Sequence, residues 1–476
     1  MAAGRGKPYS FGLLRFTCTV VVGSALLFEQ PLRYAVRTDV GLRRQNNEDA
    51  AAVRLAQTRE AFADHGHLML VADGMGGHAV GELASGIAAE VVPQDYLRDP
   101  SGGDPADRLA AAVVRANAAI YAKGETTPDF SRMGTTCTAL ALTPQGAAIA
   151  HVGDSRCYRV RGQRCDQLTF DHSLQWELIR QGMDPQAVML NEPRNVITRS
   201  LGPSPDVAVD IEGPFAVLPG DVYVLCSDGL TGHVHDHEIG AIARGLSPEE
   251  AAKMLVNLAN LRGGSDNTTV VVAQVGEVPE GVPHTTPGDP TRPINPWLLA
   301  AAWGLGAVFV VGLGLLLFGH YLAGTLVTGF GGALLAAAGF RIWQKWYRGP
   351  RERPLHTAGS ETAVWRAYRS APAVVDRAIV AETGQLAAQL QRSAAEERWP
   401  IDPKRVEKHR SRAATAAAKS DLNGAFHHLC RMIDVQMKGL IQTRRPPAEK
   451  PSSTKIKSLP PSPPPDLAPG PAANRD

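Results

Sequence analysis

The chain has 476 residues, a formal net charge of +2 and six cysteines. The length points to more than one domain, and so balanced a charge creates no global field that would attract nucleic acid. The cysteines, at 18, 137, 157, 165, 226 and 430, form no Cys-x-x-Cys pair or zinc spacing, which suits free thiols in a reducing compartment. None has arginine six residues on, which argues against a phosphatase with a thiolate nucleophile.

Residues 1–32 carry Arg5 and Lys7 before a mostly apolar stretch, Phe11 to Phe28, that has the look of a signal or short membrane segment. Arg15 interrupts it and no small-x-small cleavage site follows, so a loose extension is favoured over a membrane segment. Leu32 to Thr38 is expected to begin a sheet. Asn47-Glu48-Asp49 opens a strand over Ala50–Leu55. His67 to Ala72 is an apolar run of strand length that stops at Asp73-Gly74-Met75-Gly76-Gly77-His78. Helical patterns follow over about 80–97 and 106–123. Strands are expected near 134–142, 146–152 and 155–161, with Gly146 making the first turn, and Asp171-His172-Ser173 is placed to cap a helix through Gly182. Val222–Cys226 runs into Ser227-Asp228-Gly229. A helix from Pro248 to Arg262 leads to Asp266-Asn267, which opens Thr268–Ala273.

Residues 276–296 hold several prolines and read as a linker. Trp297–Phe318 and Leu322–Phe340 are uncharged apolar runs separated by Gly319-His320-Tyr321, which predicts a transmembrane hairpin over 297–340. Arg341, Lys345, Arg348, Arg351 and Arg353, with Trp343, Trp346 and Tyr347 among them, place both ends of that hairpin in the cytoplasm. Residues 341–445 return to charged, helix-compatible sequence. There Leu422, Phe426, Leu429, Ile433, Met437 and Leu440 keep helical spacing and mark one buried face. His427 and His428 are adjacent and do not share a helix face, so metal binding there is disfavoured. Residues 446–476 are proline-rich and read as disordered.

The acids carry the chemistry. If outgoing and returning strands alternate in direction, Glu48, Asp49, Asp73, Asp154, Asp228 and Asp266 all lie at one sheet edge. Such a cluster repels itself unless cations neutralise it, and with oxygen donors alone hard cations such as Mg²⁺ or Mn²⁺ suit it. A single Asp-Gly is more often a turn former or strand-end cap; the ordered set favours the site. Arg44, four residues before Glu48, offers a planar fork that matches a phosphate, whereas Arg43 fits a solvated role. Arg156 and Arg199 read as structural, and Cys226, with no base partner in sequence, as a core residue.

In order and spacing, Arg44-Gln45-Asn46-Asn47-Glu48-Asp49, Asp73-Gly74-Met75-Gly76-Gly77-His78, Met133-Gly134-Thr135-Thr136, Gly153-Asp154-Ser155-Arg156, Ser227-Asp228-Gly229 and Asp266-Asn267 resemble the metal-dependent Ser/Thr protein phosphatases of type 2C, in their bacterial form, over roughly residues 33 to 275. The resemblance implies an α+β fold of two packed, mainly antiparallel β-sheets flanked by helices. It implies two Mn²⁺ or Mg²⁺ ions. Asp73 would contact both, Gly74 the first through its carbonyl oxygen, and Asp228 and Asp266 the second. Glu48, Asp49 and Asn267 would form a supporting shell around metal-bound water, and Asp154 would help to hold a third, weaker ion near a mobile flap. A hydroxide between the two ions would attack phosphorus in line, with Arg44 on the phosphate. Some family members carry histidine directly after the Asp-Gly pair; here that position is Met75 and the histidine falls at His78, so the general acid is left open between metal-bound water and His78.

The expected organisation is an extension (1–32), a phosphatase domain (33–275), a linker (276–296), the membrane hairpin (297–340), a helical cytoplasmic region (341–445) and a tail (446–476). The expected activity is hydrolysis of phosphoserine and phosphothreonine in proteins by an enzyme tethered to the bacterial inner membrane, its catalytic domain in the cytoplasm, opposing Ser/Thr kinases. A phosphoprotein-binding pseudo-enzyme or regulatory scaffold, and hydrolysis of a small phosphate ester, are the alternatives.

Overall fold

Apolar side chains on successive strand positions point to opposite faces. Met69 and Val71 face one side of their strand, and Leu68, Leu70 and Ala72 the other, with both sets buried. The continuous apolar run before Asp73 is therefore a strand covered on both faces. The computed structural model describes residues 20–27, 30–77, 79–98, 103–126, 128–130, 133–193, 196–276, 310–312, 314–323, 325–329 and 367–444.

Among the described residues the strands form two antiparallel sheets. The first runs in the order β1 (Val20–Leu27), β2 (Gln30–Asp39), β12 (Thr268–Val275), β11 (Val222–Cys226), β8 (Arg156–Arg161), β9 (Arg164–Gln167) and β13 (Arg369–Pro372). The second runs β10 (Asp210–Phe215), β7 (Gly146–Val152), β6 (Cys137–Thr143), β4 (His67–Met75) and β3 (Asp49–Arg54), with β5 (Gly134–Thr135) paired to the end of β4. The sheets pack face to face through Met69, Val71, Leu140, Ile149, Tyr223, Leu225 and Val271. Helices α2 (Ala79–Arg98) and α3 (Pro105–Gly124) cover the outer face of the second sheet, and α7 (Asp236–Gly245) and α8 (Pro248–Leu261) that of the first. Short helices α1 (Arg59–His65), α4 (Leu174–Arg180), α5 (Pro185–Asn191) and α6 (Asp228–Thr231) complete this unit. Asp104 caps α3 and Ser247 caps α8 through their side chains, each followed by proline at the first helical position.

Four expectations change. The strand before Asp73 does not stop there: β4 continues to Met75 because Gly74 and Met75 pair with β5. Part of the N-terminal extension is not loose, since Val20–Leu27 pairs with β2 along its length. The transmembrane hairpin is overturned: among the described residues no helix is long and apolar enough to cross a membrane. A span needs roughly 20 helical residues in succession, whereas the helical residues described there lie between 310 and 317 and between 321 and 329, around a turn at Phe318-Gly319. The other hairpin residues, with His78, linker residues 277–296, 341–366 and the tail, lie outside the described residues.

The fourth change concerns the C-terminal region. β13 joins the first sheet at β9, and α9 (Arg377–Glu396), α10 (Pro403–Ala418) and α11 (Leu422–Arg444) pack onto α7 and α8. The helical face read in the sequence is indeed buried, with Phe426, Ile433, Met437 and Leu440 in the same core as Ile242, Leu255 and Val270. Polar contacts seal the joint: Glu250 on α8 accepts from Arg431 Nε at 2.7 Å and pairs with His427 Nε2 at 3.1 Å, and Arg244 donates to Ala373 O at 3.0 Å.

Candidate active site

β3 and β4 run antiparallel with Asp49 directly opposite Asp73. The backbone at Asp73 is clamped by the neighbouring strand: its N–H donates to Thr136 Oγ1 at 2.8 Å, and its carbonyl accepts from Thr136 N and Thr135 Oγ1, each at 2.9 Å. Thr136 Oγ1 also meets Ser155 Oγ at 2.7 Å, beside Asp154 at the end of β7. From the other sheet, Ser227 Oγ donates to Asp49 Oδ2 at 2.8 Å and accepts from Thr269 N at 2.9 Å. Asp228 follows it at the start of α6, and Asp266 precedes β12. The edge is thus shared by both sheets.

Two glycines make this closeness possible. A Cβ on Gly74 would collide with the carbonyl oxygens of Gly81 and Glu48, and one on Gly229 with that of Asn267. Asn267 is spent on the backbone, accepting from Glu48 N at 2.8 Å and donating to Val40 O at 3.0 Å and Asn46 O at 2.9 Å. It holds the Arg44–Asp49 loop against β12. Glu48 is buried, its carboxylate against Gly81. Arg44 reaches the same edge, where its guanidinium donates to Asp266 Oδ2 at 2.9 Å with the Arg44 side chain 47% exposed.

The electrostatics are those of crowded like charges. Burial, then the charges of Asp228 and Asp266, raise the Asp49 carboxyl to about 7, against hydrogen bonds from Thr269 and Ser227. Enclosure by protein and neighbouring aspartates push Asp73 and Asp154 well above the usual carboxylate range. Asp228 is raised by enclosure and by Asp266, and it shares a hydrogen bond with Asp73. Asp49 Oδ1 and Asp154 Oδ1 are buried without a hydrogen-bond partner. The set is open: among the described residues no three His, Cys, Asp or Glu side chains converge on one ion position. Arg44 holds Asp266 Oδ2, Ser227 holds Asp49 Oδ2, and Asp228 shares a hydrogen bond with Asp73. Orphaned buried oxygens, mutual repulsion and an all-oxygen donor set fit a hard divalent cation.

Behind Asp154 lies a network that sequence reading missed. His172 Nδ1 accepts from Gly153 N at 3.0 Å, so Nε2 carries the proton toward Asp210 Oδ2 at 3.0 Å, and Asp210 also accepts from Arg199 at 2.6 Å. His172 and Arg199 hold the Asp210 carboxyl far below its ordinary value. Burial, with His172 nearby, lowers His151 to about 3 and keeps it neutral, bonded to Thr138 Oγ1 and Phe170 O. The only signal in the sequence was a lone histidine within the apolar run Ala147–Val152. Arg156 binds Asp171 through Nε and Nη2 and Arg199 binds Asp210, both bracing roles, while Cys226 is buried in the core.

Two packed antiparallel sheets thus present a set of aspartates and an arginine at a shared edge, a carboxylate-centred site. The model of the protein phosphatase 2C family matches residues 43–181. The chain is 36% identical over 245 residues to the serine/threonine phosphatase stp of Listeria welshimeri, which covers 50% of this chain and 94% of that protein. It is 39% identical over 246 residues to the serine/threonine protein phosphatase PstP of Mycobacterium tuberculosis, covering 51% of this chain and spanning only 45% of that relative's length. A solved catalytic domain of PstP, in complex with 2 manganese ions, is 37% identical with a TM-score of 0.44, covering 52% of this chain and 99% of that one. The chain belongs to the protein phosphatase 2C family.

Proposed function

We propose that the chain is a Mn²⁺- or Mg²⁺-dependent phosphatase of phosphoserine and phosphothreonine in proteins, acting opposite Ser/Thr kinases. The observation that carries this reading is the meeting of Asp49, Asp73, Asp154, Asp228 and Asp266 from two sheets with Arg44 at one edge. Asp73, the Gly74 carbonyl, Asp228 and Asp266 would hold two ions, and Asp154 a third. When bound, such ions supply Lewis acidity and lower the pKa of water, so hydrolysis needs no covalent intermediate. Arg44 binds and orients the phosphoryl oxygens. Glu48 and Asp49 support the ligand shell, while Thr135, Thr136, Ser227 and Asn267 keep its backbone from moving. Free, buried cysteines at 137, 157, 165, 226 and 430 suit a reducing compartment, in keeping with a catalytic domain in the cytoplasm.

The test is phosphate release from a phosphothreonine peptide with Mn²⁺ and after chelation. Turnover with the ion and none in excess chelator is expected; peptide binding without turnover would mark a pseudo-enzyme, and a strong preference for free metabolites a small-ester hydrolase. Arg44→Ala is expected to lower kcat/KM by about 10- to 100-fold, the loss of a charge-assisted hydrogen bond of about 1.5–3 kcal/mol, with little change in the Mn²⁺ concentration needed. Unchanged kinetics would assign phosphate binding elsewhere.

A further inference from the structure

Residues 171–193 and 196–201 form a flap that carries α4 and α5. Its stem is rooted at the carboxylate centre. Thr198 N donates to His172 O at 2.9 Å, and Leu201 exchanges backbone bonds with Thr135, whose hydroxyl holds Asp73. Yet α4 buries none of its residues. An element without a core is positioned by its few specific contacts, and it is the first to move when they are lost.

Several of those contacts involve residues that lie far along the chain. Trp176 on α4 packs edge-on against Phe170, with ring centroids 5.8 Å apart, and Arg180 on the same helix lies 5.2 Å over Phe170. Tyr368 also packs on Phe170, with ring centroids 5.2 Å apart, and its hydroxyl donates to Glu212 on β10. Arg369 lies 5.4 Å over the Trp176 ring and is anchored by Asp236 at 3.2 Å. Asp236 in turn accepts from Tyr158 in the sheet at 2.9 Å. Tyr368 immediately precedes β13, its N–H donating to Gln167 O at 3.3 Å, and the register of β13 against β9 sets Arg369 opposite Gln167. Gln167 donates to Asp171 Oδ1 at 2.9 Å, the same carboxylate that Arg156 grips next to Asp154.

We propose that Tyr368 and Arg369 are positioning residues for the flap: from the C-terminal region they hold α4 over Phe170 and so set the mouth through which a phosphorylated segment reaches the carboxylate centre. The kinetic part rests on the phosphatase reading; the bracing of α4 does not. A phosphoprotein must pass the flap, whereas a small aryl phosphate need not, so the brace discriminates by substrate size.

Two measurements on the full chain test it. Hydrogen exchange should show the amides of Leu174–Arg180 exchanging about ten-fold faster in the double variant Tyr368→Ala, Arg369→Ala, the loss of two ring contacts. The amides of β4 and β11 and the melting temperature should stay as in the wild type. Tyr368→Phe keeps the ring and should exchange within about two-fold of the wild type. With Mn²⁺, the double variant should raise KM for a phosphothreonine peptide about three- to ten-fold and leave kcat and p-nitrophenyl phosphate hydrolysis unchanged. Wild-type exchange in α4, or an equal loss on both substrates, overturns the proposal. If the wild type hydrolyses neither substrate, the phosphatase reading fails, and exchange alone decides the brace.

Discussion

Asp73→Asn is expected to abolish turnover, with kcat down by roughly 10³-fold or more, because in the proposed two-ion site this carboxylate would serve both ions and several kcal/mol of charge stabilisation would go with it. The same change should stabilise the metal-free protein, since it removes a buried charge from among Asp49, Asp154 and Asp228. The sign of the pH dependence follows. In the fold the Asp49 carboxyl titrates at about 7 instead of 3.8, so the folded state holds its proton more tightly than the unfolded chain. That stability is complete below about pH 4 and is lost as pH rises through 7. Wild-type protein in chelator should therefore melt lower at pH 8 than at pH 5, Mn²⁺ should restore the difference by binding the folded state, and Asp73→Asn should flatten the slope. Full activity of Asp73→Asn, or a chelated melting temperature that rises from pH 5 to 8, would refute the acid-cluster mechanism.

Phe426→Ala should destabilise the whole molecule by about 3–5 kcal/mol, the cost of deleting a buried aromatic side chain. Phe426 is 1% exposed and belongs to the core that also contains Ile242 and Leu255 of the phosphatase unit, with its ring close to Gly245 at the end of α7. A C-terminal region folding on its own would confine the loss to itself and split unfolding into two transitions. A shared core predicts one transition, shifted down, with phosphatase activity lost at the same temperature as helicity. Calorimetry alongside an activity melt distinguishes the two.

The location of the acids was legible in the sequence because it depends only on local facts. An apolar run buried on both faces is a strand, antiparallel strands alternate in direction, and an acid just after one strand or just before the next falls at the same edge. That logic puts Glu48, Asp49, Asp73, Asp154, Asp228 and Asp266 at one edge; in the structure Asp49 lies opposite Asp73 in the register of β3 with β4, and Asp154, Asp228 and Asp266 follow or precede β7, β11 and β12. It also marked the buried face of α11 through Phe426, Ile433 and Met437. It did not reveal what that face packs against, because helical periodicity records that a side is buried and says nothing of its partner. Nor could Arg369–Pro372 be read as a strand: it is four residues long, half exposed and ends in proline, and its hydrogen bonds exist only because β9 offers an open edge. Hydropathy misled at 297–340 for a related reason, since apolarity is local while membrane spanning requires one long helix. The sequence by itself determined the strands and the acids at their ends, and its family resemblance implied the two-sheet unit. Only the tertiary structure decided that the C-terminal region shares the phosphatase core and reaches the flap, because those contacts join residues remote in the chain whose partners no local pattern encodes.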